Sequence, residues 1–145
     1  MMDVIFDVDG TLMDLDHRRK YLDGSMGKKD WKAFVDDTKL DTPKDQIHSV
    51  AKALAAQGHR IVILTGRNQA QHDITALQLK DIPYDTMIMR PDDNYDQDQI
   101  LKSGMLDHLI SIGYNPTLVF DDRDTVVDMW RDRGLICCQV APGDF

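Results

Sequence analysis

Val4-Ile5-Phe6-Asp7-Val8-Asp9-Gly10-Thr11-Leu12 is the stretch on which the reading of this chain turns. Its opening residues are apolar at successive positions, without the alternation of a half-exposed strand. Such a run suits a strand covered on both faces, as in a parallel sheet. Two carboxylates then arrive two residues apart, and Gly10 behind them lets the backbone turn sharply and come close to a ligand. In a partly desolvated pocket Asp7 and Asp9 would repel each other by several kcal/mol unless a cation lay between them or one were protonated. Magnesium, which takes carboxylate and phosphate oxygens while keeping some of its waters, is the natural partner.

Outward from this stretch the pattern repeats. Five short apolar runs read as strands: Asp3–Val8, Arg60–Thr65, Thr86–Met89, Thr117–Phe120 and Leu135–Val140. Between them lie helical patterns. Thr42-Pro43 offers a cap and a first-turn proline, Ile47, Val50, Ala51 and Leu54 recur at helical spacing, and Gly58 closes the segment. Further helices are expected over Asn68–Leu79, Asp98–Ile112 and Thr125–Asp132, with Gly113 and Gly134 as stops. Alternation of this kind predicts an α/β fold, a doubly wound, Rossmann-like parallel sheet whose ligand sits beyond the carboxyl ends of the strands. The polar residues fall at that edge: Asp7 and Asp9 after the first run, Thr65 and Arg67 after the second, Asp121 and Asp122 after the fourth.

These residue types have complementary chemistry. Four carboxylates at one edge form a cation site. Thr65-Gly66-Arg67 supplies a hydroxyl, a free backbone N–H and a guanidinium where a helix opens, an arrangement that favours an anion. Lys102 adds a compact cation able to offset charge on a carboxylate nucleophile and on a transferring phosphoryl group. Asp98, four residues earlier, shares its helix face, at a spacing that allows the two to pair.

Bulk properties narrow the partners. The 145 residues suit one domain over 1–145. All 25 acidic residues are aspartate, and the net charge of −8 argues against indiscriminate nucleic-acid binding. The charge is uneven, however. Residues 16 to 32 carry six basic and three acidic side chains, a net +3, which leaves −11 for the remainder. That suits contact with a short stretch of nucleic acid. No apolar run is long enough to cross a bilayer and no signal peptide opens the chain, so a cytoplasmic, membrane-free location is expected. The adjacent Cys137 and Cys138 read as strand residues rather than a disulfide or metal site.

The order Asp-x-Asp-Gly-Thr-Leu, then Thr-Gly-Arg, then a lysine, then Asp-Asp resembles the haloacid dehalogenase superfamily of phosphotransferases, over essentially the whole chain from Asp7 to Asp122. The resemblance implies that Asp7 is the nucleophile that becomes an aspartyl phosphate. Asp9 would be the general acid and then the base, protonated at the first step with help from its crowded neighbours. Thr65 and Lys102 would hold the phosphate. Asp7, the backbone carbonyl of Asp9, and Asp121 with Asp122 would hold Mg2+.

Substrate choice in that family is often set by a cap over the site. Here 55 residues separate Asp9 from Thr65 and 36 separate Thr65 from Lys102, and most are consumed by predicted helices and strands. Only residues 12–41 remain as a small insert, with a helix at Lys29–Thr38, so no large cap and an open site are expected. More specifically the chain is similar to the 3′-phosphatase domain of bacteriophage-type polynucleotide kinase–phosphatase. Arg18 and Arg19 in the insert, Arg67 directly after Thr65-Gly66, Arg90-Pro91-Asp92-Asp93 leading to Asp98 and Lys102, and the run Gln139–Phe145 carry that likeness. It implies a substrate of 3′-phosphorylated DNA or RNA ends, contacted by Gly10, Thr11, Arg18, Thr65, Gly66, Arg67, Arg90, Asp98 and Lys102. It also implies nucleic acid repair with a kinase or ligase partner on a separate chain. Gly24-Ser25-Met26-Gly27-Lys28-Lys29 echoes a kinase phosphate loop only faintly and has no strand before it. The competing readings are a phosphatase of a small metabolite or nucleotide, and a non-enzymatic phospho-acceptor module.

Overall fold

The computed structural model describes residues 1–145. In chain order the elements are β1 (Asp3–Phe6), β2 (Met13–Asp14), α1 (Trp31–Asp36), β3 (Thr42–Pro43), α2 (Asp45–Ala56), β4 (Arg60–Asn68), α3 (His72–Gln78), β5 (Thr86–Arg90), α4 (Asp98–Ser111), β6 (Pro116–Asp121), α5 (Asp124–Asp132) and β7 (Ile136–Gln139). Short 3-10 segments cover Asp16–Tyr21, Asp37–Leu40 and Gln69–Gln71.

Five strands form one parallel sheet in the order β5-β4-β1-β6-β7. The chain winds outward from β1 through β4 to β5, then returns to the other side of β1. The order therefore reverses at β1, and the crevice beyond its carboxyl end is where a doubly wound sheet places its ligand. Alternate side chains of the strands feed two cores. Ile5, Val62, Leu64 and Val119 meet Leu101, Met105, Leu106 and Leu109 of α4 and Val126, Val127 and Trp130 of α5. Val4, Phe6, Ile61 and Ile63 point the other way, toward Ala51 of α2 and Leu79 after α3. Both faces of the central strands are covered, which is why their apolar runs are continuous.

The α/β sheet matches the sequence expectation, and the local differences have physical causes. β1 stops at Phe6, because the carbonyl of Val8 accepts from Thr11, Leu12 and Met13 and closes a turn there. β4 runs on to Asn68, three residues past Thr65, by pairing with Arg90 across an irregular register. Thr42-Pro43 does not cap α2. It pairs with Met13-Asp14 as a two-stranded ribbon, and the helix begins at Asp45. The insert helix is shorter than expected, Trp31–Asp36, and its end tightens into a 3-10 turn. At the far end of β1, Asp3 takes two bonds from Arg60, at 2.6 and 2.8 Å, and one from the N–H of Asn115. Cys137 is buried and Cys138 exposed, both as free thiols.

No helix is long and apolar enough to cross a membrane.

Candidate active site

Register builds the site. Phe6 pairs with Ile63 on one side and Phe120 on the other. One residue further on, Asp7 therefore lies level with Asp121, and Thr65 follows on the neighbouring strand, where its register with β5 becomes irregular. The N–H of Asp7 still donates to the carbonyl of Phe120, at 3.0 Å. Lys102 reaches this edge from the first turns of α4, its ammonium 2.7 Å from Asp7 Oδ1 and 3.1 Å from Asp121 Oδ2. The other oxygen of Asp7 accepts from the Thr11 hydroxyl at 3.1 Å. Asp121 Oδ2 also takes the indole N–H of Trp130, at 3.1 Å.

Asp7, Asp121 and Asp122 are buried, and each offers a carboxylate oxygen within 4.8 Å of the others. Three carboxylates face one ammonium, so the cluster carries surplus negative charge. Burial and the charge of Asp121 push the Asp7 carboxyl well above its usual range, with Lys102 opposing. Asp122 is pushed up to about 6 by burial and then by Asp121. Burial works against the charge of Lys102, but Asp121 and Asp7 outweigh it and hold the ammonium protonated. Asp122 Oδ2 is buried with no hydrogen-bond partner. An orphaned carboxylate oxygen amid excess negative charge fits a divalent cation with oxygen ligands. Gly10 makes this arrangement possible: it adopts φ 83°, and a Cβ there would come 2.0 Å from Asp122 Oδ2.

Asp9 lies in different surroundings. Its Oδ1 receives Nε and Nη2 of Arg67 at 2.9 and 2.8 Å and Nη2 of Arg18 at 3.0 Å. Burial pushes this carboxyl up, but the two guanidiniums outweigh it and hold it below the usual value. The expectation that crowding keeps Asp9 protonated is thus corrected: its neighbours are cations, and they favour the carboxylate. Its carboxylate also stands outside the acidic triad, which leaves only its backbone carbonyl for a metal. The Asp98–Lys102 pair that the spacing allows does not form. Asp98 instead binds Arg90 at 2.5 Å and Arg123 at 3.1 Å.

Arg90 gives Nε to the carbonyl of Gly66 at 2.9 Å and Nη1 to Asn94 and Asp96, so it ties the Thr65-Gly66-Arg67 segment to the loop before α4. The Thr65 hydroxyl accepts the N–H of Arg67 at 3.0 Å. A Cβ on Gly66 would come 3.0 Å from Asp98 Oδ1, a tight contact. Arg19, unlike Arg18, pairs with Asp16 and lies over the ring of Phe145.

Asp41 was not singled out from sequence, yet it organises one half of the site. Its side chain is fully buried. It accepts Nε and Nη2 of Arg18 at 2.8 and 2.7 Å, Nη2 of Arg67 at 3.0 Å and the His17 ring at 2.7 Å. Thr75 and Gln78 of α3 take the remaining Nη1 of Arg67, at 3.0 and 2.7 Å. The available signal was electrostatic: two buried arginines need a second carboxylate, and Asp41 closes the insert that carries Arg18. Lys44, also missed, donates to the carbonyl of Gly10 at 2.8 Å and braces the turn.

Comparison with known proteins places this geometry. A family model for the polynucleotide kinase PNKP phosphatase domain matches residues 2–145. A protein of Autographa californica nuclear polyhedrosis virus, named for polynucleotide kinase and RNA ligase activities, is 32% identical over 133 residues, 89% of this chain and 18% of its own length. A chain in the structure of a Pnkp1/Rnl/Hen1 complex superimposes with a TM-score of 0.81 at 34% identity, covering 99% of this chain and 47% of that one. This chain thus spans less than half of either relative. A phospho-aspartyl intermediate analogue of phosphoserine phosphatase shares the fold, with a TM-score of 0.64 at 16% identity over 97% of this chain and 87% of that one.

Proposed function

As a member of the polynucleotide kinase PNKP phosphatase-domain family of the haloacid dehalogenase superfamily, this chain is a phosphoric monoester hydrolase, and we propose that it is a magnesium-dependent polynucleotide 3′-phosphatase. On this reading residues 1–145 act as one phosphatase domain with residues 12–41 as its insert. It clears 3′-phosphates from DNA or RNA ends in the cytoplasm and works beside a kinase or ligase on a separate chain. The observation that carries the reading is the contrast around Asp7. A carboxylate cluster short of a cation lies on one side, and Arg18 and Arg67 converge on Asp9 on the other. One pole suits a metal, and the other aims two guanidiniums at the carboxylate that would serve the leaving oxygen.

In the first step Asp7 attacks phosphorus, a bond from its carboxylate oxygen forms, and the bond to the leaving 3′-oxygen breaks. That oxygen takes a proton from Asp9. Arg18 and Arg67 keep Asp9 ionised at rest, so the proton is acquired as the phosphate dianion arrives and its charge counters the two guanidiniums. In the second step a water attacks phosphorus, Asp9 as carboxylate takes the water's proton, and the acyl–phosphate bond breaks to release phosphate and regenerate Asp7. Lys102 offsets charge on Asp7 and the phosphoryl oxygens throughout. Asp7, Asp121, Asp122 and the backbone carbonyl of Asp9 would hold Mg2+, which supplies charge neutralisation between the anionic nucleophile and the anionic phosphate.

Turnover of a 3′-phosphorylated oligonucleotide, a 5′-phosphorylated one and a mononucleotide, each with and without Mg2+, tests the reading. The first substrate should be preferred and the reaction should require the metal. Equal turnover of all three would remove the 3′-end assignment.

A further inference from the structure

The insert carries a feature that hydrolysis alone does not use. Trp31, the first residue of α1, is 59% exposed, although a buried aromatic side chain contributes about 1.5–3 kcal/mol over an exposed one. Its ring touches only one aromatic neighbour, Phe34, edge to face with centroids 6.0 Å apart. Phe34 is in turn bound to the catalytic centre. Its ring lies 4.3 Å from the Arg18 guanidinium, and its carbonyl accepts Arg18 Nη1 at 3.3 Å. Arg18 holds Asp9. Two side chains therefore link the exposed indole to the acid–base carboxylate.

The insert that carries Trp31 is anchored. Tyr21 bonds Asp37 at 2.8 Å, and Thr38 takes Gln71 and Gln78 at 3.0 and 2.8 Å. Lysines flank the ring on both sides in sequence, with Asp30, the N-cap of α1, directly before it. Lys28 and Lys29 precede Trp31 in an exposed loop. Lys32 follows it and pairs with Asp36 at 2.7 Å, while no ion pair engages Lys28 or Lys29. A solvent-facing aromatic flanked by free lysines has the makings of a single-strand platform, where bases stack on the ring and the backbone meets the charge.

We propose that the α1 face, Trp31 with Lys28 and Lys29, seats the polynucleotide upstream of its terminal phosphate, with Trp31 stacked on an unpaired base. This rests on the polynucleotide reading above and deepens it. The strand is held by its flanking nucleotide, so the open site gains preference for an end on a chain over a free phosphate ester. Positively charged residues near the scissile group would attract either, but an aromatic face discriminates in favour of a base.

Steady-state turnover of a single-stranded 3′-phosphorylated oligonucleotide and of an aryl phosphate tests this with Trp31→Ala and Trp31→Phe. In Trp31→Ala the ratio of kcat/KM for the oligonucleotide to that for the aryl phosphate should fall about tenfold or more, through KM. Trp31→Phe should restore most of it. The only other tryptophan, Trp130, is wholly buried. Tryptophan emission should therefore be quenched by a 3′-hydroxyl oligonucleotide, and the quench should vanish in Trp31→Phe. Lys28→Ala with Lys29→Ala should flatten the dependence of log affinity on log salt by about 1.4, at roughly 0.7 per lost single-strand phosphate contact. An unchanged ratio in Trp31→Ala, or no quench at saturating oligonucleotide, overturns the proposal. Quenching without turnover of any oligonucleotide would sink the 3′-phosphatase reading and leave the platform standing. Turnover with an unchanged ratio would do the reverse.

Discussion

Asp7 and Asp9 are separated by one residue, yet the two ends of their shared turn are electrostatic opposites. Around Asp7 there are three buried carboxylates and one ammonium, with an oxygen of Asp122 left unpaired. Around Asp9 there are two guanidiniums and a second, fully buried carboxylate, Asp41, so charges balance within the protein. The first pole is incomplete without a cation from outside, while the second is closed on itself. The pKa of the same residue type is thus raised at one position and lowered at the other. Burial acts upward on both. The neighbours decide the outcome.

The largest expected effect falls on Asp7. Asp7→Asn should lower kcat on the order of 10⁴-fold or more, and acid quenching should trap no phosphorylated protein. Residual turnover near the parent level would break the assignment of the two poles. Asp9→Asn should cost about 10²–10⁴-fold with an oligonucleotide. With an aryl phosphate, whose leaving group needs no proton, phosphorylated protein should accumulate. If neither substrate phosphorylates the variant, Asp9 does not act where the comparison puts it.

A smaller effect is expected at Asp41, which touches neither nucleophile nor metal cluster. Asp41→Asn leaves Arg18 and Arg67 with one carboxylate between them and frees their planes to turn. We expect a loss of about 10- to 100-fold in kcat, the scale of disturbed partners behind a reacting group. The alkaline and acid limbs of the pH–rate profile should shift while Mg2+ dependence is retained. A raised Mg2+ requirement instead would mean that the two poles are not independent.

The smallest effect concerns stability at the metal pole. Asp122 has a folded value near 6 against an ordinary carboxyl near 4. A group raised on folding stabilises the protein only where the folded form keeps its proton. In this respect metal-free protein should therefore be most stable below about pH 4, and lose on the order of 1–3 kcal/mol as pH rises from about 4 through 6. Mg2+ should reverse that loss, and Asp122→Asn should flatten the profile and weaken the Mg2+-induced rise in Tm. Denaturant melts across pH, with and without Mg2+, would show whether the surplus charge is real.

The amino-acid sequence by itself determined the alternation of strands and helices, because strands covered on both faces must be apolar at every position. It also determined which strand ends carry chemistry, since Asp7, Thr65 and Asp121 each follow such a run directly. Residue spacing bounded the insert and left no room for a large cap. Tertiary structure decided what periodicity cannot carry. Asp41 is 23 residues from Arg18 and 26 from Arg67, and only the folding of the insert against α3 brings the three together. Asp98 and Lys102 share a helix face, but Arg90 and Arg123 on one side and Asp7 on the other offered each a better partner than its neighbour. Thr42-Pro43 looks like a helix start until Met13-Asp14 is folded beside it. The protonation of Asp9 followed the same logic, since the charge on a carboxylate depends on groups from separate segments converging within about 3 Å, a distance that sequence separation does not encode.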